Sequence, residues 1–251
     1  MIKNLMFSDA IELVFTVGEE GLGNLYGMKH YMSSQTYIKE IIAVDLGYNT
    51  IAYDCVGSTR YQVSIKTNGG HSWGDFGNPN AIIIASSIIN ELTKLELCNA
   101  ENSKTTYNVG VIEGGTTVNT IAEKCMFLFE YRSDNDYCLN TMNEKFKELL
   151  KKYRHASYKI IGERPSSKNI NIEEQKNLVD KVSNIIENVT NEKPKLDKLS
   201  MDFNVAMNMG IPCTSIGVCD TTNAHSLEER INADSLLPGL EILIDLMLSY
   251  K

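Results

Sequence analysis

Acidic side chains and one histidine follow apolar, strand-like runs at three places in the sequence. Glu19 and Glu20 come after the run IELVFTVG, and Asp45 closes the run IIAVD. His225 ends a loop of small residues, CDTTNAH. Ligands of α/β sheets bind at the carboxyl ends of the strands, so these side chains are expected to converge. Carboxylates and an imidazole can bind zinc, and a neighbouring glutamate outside the metal shell can accept a proton from water.

The first of these segments, residues 15–27, also admits a nucleotide-binding interpretation. Its sequence is FTVGEEGLGNLYG, whose glycines loosely match a dinucleotide-binding loop, and Asp45 would then contact a ribose. However, two adjacent carboxylates directly before the glycines would repel a diphosphate in a low-dielectric site. The sequence therefore favours the metal interpretation and keeps the nucleotide loop as the weaker alternative.

The elements that must position these residues are predicted at both ends of the chain. Apolar periodicity indicates strands at 11–17, 41–47 and 212–217 and helices at 22–32, 174–189 and 233–249. Strand, helix and strand in this succession are typical of a largely parallel α/β sheet.

The middle of the chain has a different pattern. Strands are predicted at 61–70, 106–115, 122–133 and 158–163, and helices at 80–95 and 140–153. The order β-α-β-β-α-β is that of a ferredoxin-like module. The predicted fold is therefore α/β: residues 1–57 and 166–251 form one domain, and residues 58–165 form a ferredoxin-like domain inserted into it.

Composition and charge exclude several classes of function. The 251 residues carry a formal net charge of −8, which argues against nucleic-acid binding and gives no reason to expect attraction to anionic membranes. The longest apolar run, 236–248, is interrupted by a proline and two acids, so no membrane span is predicted. Six scattered cysteines without a CxxC pair indicate reduced thiols in a cytoplasmic protein.

The motifs, taken in chain order, resemble those of the co-catalytic zinc amidohydrolases and exopeptidases. This family includes aminoacylase, peptidase T, acetylornithine deacetylase, succinyl-diaminopimelate desuccinylase and glutamate carboxypeptidase. The matching segments are VFTVGEEGLGNLYG, AVDLG and NAHSLEE. The resemblance implies that Glu19 is the general base and that Glu20, Asp45 and His225 are zinc ligands. It also implies two zinc ions per complete site, with cobalt or manganese as other metals that could serve.

Three further motifs in the predicted inserted domain agree with the same family. They are NGGHSW, GGTTVNTIAE and FEYRS, which carry His71, Asn119 and Arg132. The resemblance implies that His71 and Asn119 reach across a homodimer and polarise the scissile carbonyl of a substrate in the partner's site. It implies that Arg132 holds a substrate carboxylate.

The resemblance predicts hydrolysis of a peptide or amide bond in a small substrate. The segments IGERP and SMDFN favour a peptide substrate and an exopeptidase over an N-acyl amino acid and a deacylase, although Met201 and Phe203 replace the small residues expected there. Each site residue also has a purely structural interpretation. The two glutamates are favourable at a helix N-terminus, His225 could be a loop residue, and the inserted-domain residues could belong to turns and surface.

The resemblance also exposes missing ligands. Members of the family begin with roughly a hundred more residues, which carry an H-x-D segment and a metal-bridging aspartate. The four histidines here are His30, His71, His155 and His225, and none lies in an H-x-D context. The chain is therefore predicted to be N-terminally truncated, inactive by itself, and left with an exposed sheet edge. The alternative is a non-catalytic dimerising protein, or a subunit that needs a separate N-terminal half.

Overall fold

The structure, a computed structural model, describes residues 11–45, 47–224 and 226–250. It divides into two compact units. The inserted unit is the continuous segment Val56–Ser166, and the discontinuous unit combines Met1–Cys55 with Ser167–Lys251. Within the described part of the chain, no helix is both long enough and apolar enough to cross a membrane.

The discontinuous unit begins with an extended segment and a 3₁₀ turn at Gly21–Gly23. Three elements follow before the insertion: α1 (Tyr26–Met32), β1 (Ile41–Val44) and β2 (Thr50–Cys55). The strand predicted at 11–17 is wrong, because these residues are extended but belong to no strand. A strand needs a hydrogen-bonded neighbour, and no strand of the described residues pairs with this segment.

The inserted unit is a ferredoxin-like sandwich of one sheet and two helices. Its elements are β3 (Gly57–Lys66), β4 (Gly70–His71), α2 (Ala81–Leu92), β5 (Thr105–Gly114), β6 (Thr120–Ile121), β7 (Lys124–Ser133), α3 (Asp136–Leu150) and β8 (Ala156–Arg164). The four long strands form an antiparallel sheet in the order β5-β7-β3-β8. This is the strand order of a split βαβ unit, and the predicted α/β fold class is confirmed.

Strict alternation along β3 builds the core of the inserted unit. Tyr61, Val63 and Ile65 are buried, whereas the residues between them face the other side of the sheet. The helices α2 and α3 cover the buried face, and Phe146 of α3 stacks on Tyr61 with ring centroids 3.9 Å apart. Asn135 caps α3 by accepting a hydrogen bond from a backbone N–H of its first turn.

The discontinuous unit is completed after the insertion. Its later elements are α4 (Ile172–Thr190), β9 (Lys195–Leu199), α5 (Asn204–Asn208), β10 (Cys213–Ile216), β11 (Asp220–Thr222), β12 (Arg230–Asn232) and α6 (Leu236–Leu248). The strands β1 and β10 pair in parallel, as do β2 and β9. Of the predicted strands, 41–47 and 212–217 thus correspond to the parallel pair β1 and β10, whereas β2 and β9 were not predicted.

Side chains rather than backbone ladders connect these two strand pairs. The Thr214 hydroxyl donates to the carbonyl of Ala52 at 2.6 Å, and the Ser215 hydroxyl accepts from the Ala52 N–H at 3.0 Å. The Gln175 amide of α4 donates to the Cys213 carbonyl at 2.7 Å and accepts from the Cys213 N–H at 2.9 Å. These buried contacts satisfy backbone groups of β2 and β10 that would otherwise lose hydrogen bonds on burial.

Candidate functional site

The loop that carries Glu19 and Glu20 folds back on itself at its glycines. A Cβ atom on Gly23 would lie 2.6 Å from the carbonyl oxygen of Gly18, and one on Gly27 would lie 2.5 Å from the nitrogen of Val17. The Gly27 N–H donates to the Val17 carbonyl at 2.8 Å. The glycines are therefore required by close contacts within the loop itself, which removes the main reason for the phosphate-binding alternative.

The two adjacent glutamates occupy different surroundings in this loop. Glu19 is half-buried and Glu20 is exposed. Glu20 has extended backbone directly before the 3₁₀ turn, and its carbonyl accepts a hydrogen bond from the Gly23 N–H at 2.8 Å. The loop ends at Leu25, a buried, bulky residue with a left-handed φ of 61°. Such backbone strain is concentrated at functional sites, so the loop is a reasonable place for the two carboxylates to act.

Asp45 lies at the carboxyl end of β1, as predicted. Its N–H donates to the carbonyl of Ile216, the last residue of β10, at 3.0 Å. Beyond these two strand ends, Gly47 and Cys219 form a parallel bridge. The chain that leaves β10 towards the loop between β11 and β12 therefore starts at the edge of the sheet where Asp45 stands.

His225 lies in that loop but outside the described residues, so its place in the site stays a prediction. Its neighbours are ordered by a local turn. The Ser226 hydroxyl and N–H both donate to the Asn223 carbonyl, at 2.7 and 3.2 Å. Asn223 has a left-handed φ of 56°, a conformation that asparagine tolerates better than most residues.

The described residues alone do not form a metal site. Carboxylates such as Glu20 and Asp45 are ligands of the right chemical type for zinc. However, within the described part of the chain no three His, Cys, Asp or Glu side chains lie close enough together to hold an ion. The described carboxylates are donors of a type that zinc accepts, but too few of them lie together to hold the ion.

His71 and Asn119 are brought together in the inserted unit, as the resemblance implied. The short strands β4 and β6 pair His71 with Thr120, and the Ser72 N–H donates to the Asn119 carbonyl at 3.0 Å. Both residues are exposed. The Asn119 side-chain carbonyl accepts from the Thr117 hydroxyl at 3.0 Å, which leaves the amide hydrogens pointing away from that bond.

The loop after His71 fixes the tautomer of its imidazole. Nδ1 accepts hydrogen bonds from the N–H groups of Trp73 and Gly74, at 3.2 and 3.3 Å. The neutral ring therefore carries its proton on Nε2 and can donate from there. The carboxylate of Asp75 holds the same turn by accepting from the His71 N–H at 2.7 Å. Sequence reasoning missed Asp75, although a turn-forming acid four residues after a histidine was a visible signal.

Arg132 lies on β7 and is engaged by a neighbouring acid. Its Nε and Nη2 donate to the two carboxylate oxygens of Glu130 at 2.7 and 3.3 Å. Arg60 of β3 also donates to Glu130, at 3.3 Å. Burial and the nearby Arg164 lower the pKa of Arg60, because both disfavour its charged form. The guanidinium groups of Arg60 and Arg132 thus both contact the carboxylate of Glu130.

Comparison with known proteins identifies the inserted unit. Residues 56–157 match the family described as the peptidase dimerisation domain. The inserted unit is therefore similar to a peptidase dimerisation domain over most of its length. The resemblance to this peptidase family, predicted from the motifs, is thereby confirmed. Among curated proteins, none is similar enough in sequence to match the chain.

Solved structures share the fold of most of the chain. The aminopeptidase PepT from Bacillus cereus matches 92% of this chain with a TM-score of 0.69 at 23% identity, and a tripeptidase from Staphylococcus aureus matches 89% with 0.67 at 19%. An amidase of the hydantoinase/carbamoylase family from Burkholderia vietnamiensis matches 86% with 0.60 at 12%. The chain spans only 62%, 60% and 55% of the lengths of these three proteins.

The register of the dimerisation domain separates Arg132 from the other two site residues. Arg132 pairs with Ser58 at one end of β3, and Lys124 pairs with Lys66 at the other end. The span from Ser58 to Lys66 is about 26 Å at about 3.3 Å per residue. The ribbon of β4 and β6, with His71, continues beyond Lys66. Arg132 and the ribbon that carries His71 therefore lie at opposite ends of the β3–β7 ladder.

Proposed function

We propose that the chain is part of a cytoplasmic, homodimeric, zinc-dependent hydrolase that cleaves peptide bonds in small substrates as an exopeptidase. The observation that carries the proposal is the position of His71 beside Asn119 at the β4–β6 ribbon: His71 pairs with Thr120, and the Ser72 N–H donates to the Asn119 carbonyl, in a unit that matches the peptidase dimerisation domain. The fold shared with an aminopeptidase and a tripeptidase supports a peptide substrate.

The proposed chemistry assigns one role to each side chain. Glu19 accepts a proton from the attacking water and returns it to the leaving amine. His71 donates a hydrogen bond from Nε2 to the scissile carbonyl oxygen, because its Nδ1 is already engaged by backbone N–H groups. Asn119 is a second donor to the same oxygen. Arg132 binds the carboxylate of the substrate by exchanging part of its contact with Glu130.

The metal is proposed to need more polypeptide than this chain supplies. Glu20, Asp45 and His225 would each contribute a ligand, and zinc, when bound, would activate water and polarise the carbonyl. Among the described residues, which do not include His225, no three donors lie close together. The related structures have more than a third of their length without a counterpart here, which supports a source for further ligands.

The separation of Arg132 and His71 along the sheet supports a homodimer. If both residues contact one small substrate, His71 must come from a second copy of the chain. The sheet offers an open edge at β5, the first strand of the order β5-β7-β3-β8. Two elements also present exposed apolar side chains that a partner would bury on binding. These side chains are Ile82 and Ile83 on α2 and Ile112 on β5.

Two observations favour alternative functions. The likeness to an amidase of the hydantoinase/carbamoylase family favours an N-acyl-amino-acid deacylase or related amidase. The lack of a three-donor metal group among the described residues favours a non-catalytic dimerising subunit. Both are distinguished from the exopeptidase by the following experiments.

The first experiment measures zinc and hydrolysis in the chain alone and after addition of a polypeptide that corresponds to the uncovered part of the Bacillus cereus aminopeptidase. We expect less than one tightly bound zinc per chain and no turnover alone, and both zinc binding and cleavage of di- or tripeptides in the assembly. Two zinc ions bound by the chain alone would overturn the need for more polypeptide. Zinc binding without any hydrolysis would overturn the proposal that the assembly is an enzyme. Turnover of N-acetyl amino acids but not of peptides would overturn the proposal that it is an exopeptidase.

The second experiment tests the role of His71 in the partner's site. His71→Ala and Glu19→Gln variants are each expected to be inactive in the assembly. When they are mixed in equal amounts, half of the dimers combine both variants and contain one intact site, so about a quarter of the wild-type activity should return. Glu12→Gln, which changes an exposed acid in the same segment as Glu19, is the control and should retain activity. No recovery on mixing would contradict action across the dimer.

A further inference from the structure

Two cysteine thiols lie in contact in the inserted unit, away from the candidate site. The Sγ atoms of Cys98 and Cys138 are 2.8 Å apart. Cys98 is half-buried in the connection between α2 and β5, and Cys138 is fully buried in the first turn of α3. A covalent bond between them requires only a small further approach, since a disulfide bond is about 2.05 Å long.

Hydrogen bonds on both sides hold the two cysteines in place. The Cys98 carbonyl accepts from the Thr105 hydroxyl at 2.5 Å, and the Thr105 N–H donates to the side-chain carbonyl of Asn99 at 3.0 Å. The Cys138 N–H donates to the capping side chain of Asn135 at 3.0 Å. The sulfur contact is therefore produced by anchored backbone on each side.

We propose that Cys98 and Cys138 form a reversible disulfide when the protein meets a low-molecular-weight disulfide such as glutathione disulfide. The Cys98 thiolate attacks one sulfur of the reagent, forms a mixed disulfide and releases one glutathione thiolate. The Cys138 thiol then loses its proton to solvent, and its sulfur attacks Cys98. This step forms the Cys98–Cys138 bond and releases the second glutathione. The protein loses two protons and two electrons, and the reagent is reduced to two thiols.

The order of attack follows from exposure and charge. Cys98 is reachable by a reagent in solvent, whereas Cys138 is not. Burial, together with the neighbouring Cys98 sulfur, raises the pKa of the Cys138 thiol, so Cys138 is the poorer first nucleophile. Once Cys98 carries glutathione, Cys138 is the thiol already placed against it.

The bond would join two parts of the inserted unit that are 40 residues apart in sequence. It would fasten the α2–β5 connection to the start of α3, one of the two helices that cover the sheet. A cross-link over a loop of this length restricts the unfolded chain, so oxidation should raise the thermal stability of the unit. Reduction should reverse the effect.

The test is oxidation of the purified chain with glutathione disulfide, followed by thiol counting after denaturation and peptide mapping. Trypsin places Cys98 in residues 95–104 and Cys138 in residues 133–145, so the predicted bond links these two peptides. We expect two of the six thiols to disappear, the linked peptide to form, and Tm to rise by about 5 °C or more until dithiothreitol is added.

Three variants make the result specific. Cys98→Ser should lose no thiols, and Cys138→Ser should keep one glutathione trapped on Cys98. Cys219→Ser, a buried cysteine in the discontinuous unit, is the control and should still lose two thiols. Loss of two thiols in Cys98→Ser, a different linked pair, or stable glutathione on Cys98 in the unsubstituted chain would overturn the proposal. Should Cys138→Ser fail to fold, the peptide map and Cys98→Ser still decide it.

Discussion

The two units of this protein differ in how extensively their strands pair with one another. In the inserted unit, four strands share one continuous antiparallel ladder, and two helices cover an aromatic core. In the discontinuous unit, the main strands pair only two by two, and side chains of α4 and β10 make the connection between β2 and β10. A local sequence pattern is enough to specify the first arrangement, whereas the second depends on contacts between distant segments.

Both units expose large apolar side chains, among them Trp73 and Phe76 in the inserted unit. Phe15 and Tyr37 of the discontinuous unit are 94% and 93% exposed. Val44 is also exposed, on β1, whose one partner among the described strands is β10. Apolar side chains beside a strand with an open edge are typical of a surface that another strand covers. Among the described residues, the unit that carries the candidate metal ligands is the one whose main strands form two short ladders and not one sheet.

The largest effect is expected from the core of the inserted unit. Phe146→Ala removes a fully buried ring that stacks on Tyr61 and packs at a centroid distance of 5.8 Å from Phe129. It should lower the free energy of unfolding by about 3–5 kcal/mol. Hydrogen exchange of peptides from β3 and β7, measured by mass spectrometry, would report the loss of protection.

The matched control for this change is Tyr137→Ala on the same helix. Tyr137 is 73% exposed, so its removal should change the free energy of unfolding by no more than about 0.5 kcal/mol. If Phe146→Ala is no more harmful than Tyr137→Ala, the inserted unit does not owe its stability to the described core.

Sequence reasoning succeeded where a pattern of neighbouring residues decides the structure. Period-two alternation located the long strand that contains Tyr61 and Val63, and helical spacing located α2 and α3. The same reasoning was wrong for residues 11–17, because alternation shows that a segment can be a strand but does not provide a partner. It missed β11 and β12, which are only three residues long, and the Gln175 contacts, which join segments far apart in the chain.

The candidate site could also be predicted where neighbouring residues decide the structure, and could not be predicted where distant contacts do. Asp45 lies at a strand end, as the apolar pattern predicts, and His71 lies beside Asn119, while the roles of these residues stay predictions. The engagement of Arg132 by Glu130 and the fixing of the His71 imidazole could not be predicted, because they depend on strand register and on the path of a turn. Whether His225 joins the site remains a prediction.

A second effect, intermediate in size, is expected in the glutamate loop. Gly27→Ala places a Cβ atom 2.5 Å from the Val17 nitrogen, where backbone on both sides prevents relief. We expect a loss of about 1–3 kcal/mol in local stability and faster exchange of the Gly27 amide hydrogen. Gly21→Ala is the control for steric overlap, because no atom lies within 4 Å of the position that its Cβ atom would take. Its left-handed φ of 52° should still cost about 1 kcal/mol. Equal exchange rates in the two variants would contradict the close packing of the loop.

A smaller, pH-dependent effect is expected from a tyrosine in the inserted unit. The Tyr153 hydroxyl donates to Glu91 at 2.5 Å. Burial and this hydrogen bond raise the pKa of Tyr153 to about 12, and the same bond is the main cause that lowers the pKa of Glu91. A raised tyrosine pKa contributes stability that is complete below the unfolded value of 10.0 and is lost as the pH rises towards 12.

The Glu91 contribution has the opposite sign, since a lowered carboxyl pKa stabilises above 4.5 and is lost as the pH falls. Tyr153→Phe should therefore be less stable than the unsubstituted chain by about 1 kcal/mol between these limits, with the difference shrinking at both extremes. Urea unfolding at pH 4, 7 and 11 would measure it, with the exposed Tyr137→Phe as control. A difference that does not vary with pH would contradict the assigned hydrogen bond.

The smallest effect on stability is expected at the exposed segment of the discontinuous unit. Phe15→Ser replaces a ring that is 94% exposed, so the free energy of unfolding should change by less than about 0.5 kcal/mol. The same change should reduce concentration-dependent association and the binding of a hydrophobic dye, because it removes exposed apolar surface from a segment that belongs to no strand. Leu92→Ser, at a buried position of α2, provides the contrast and should destabilise strongly. A loss of more than about 1 kcal/mol in Phe15→Ser would show that Phe15 is buried in solution, and Phe15 would then not belong to the exposed apolar surface of the discontinuous unit.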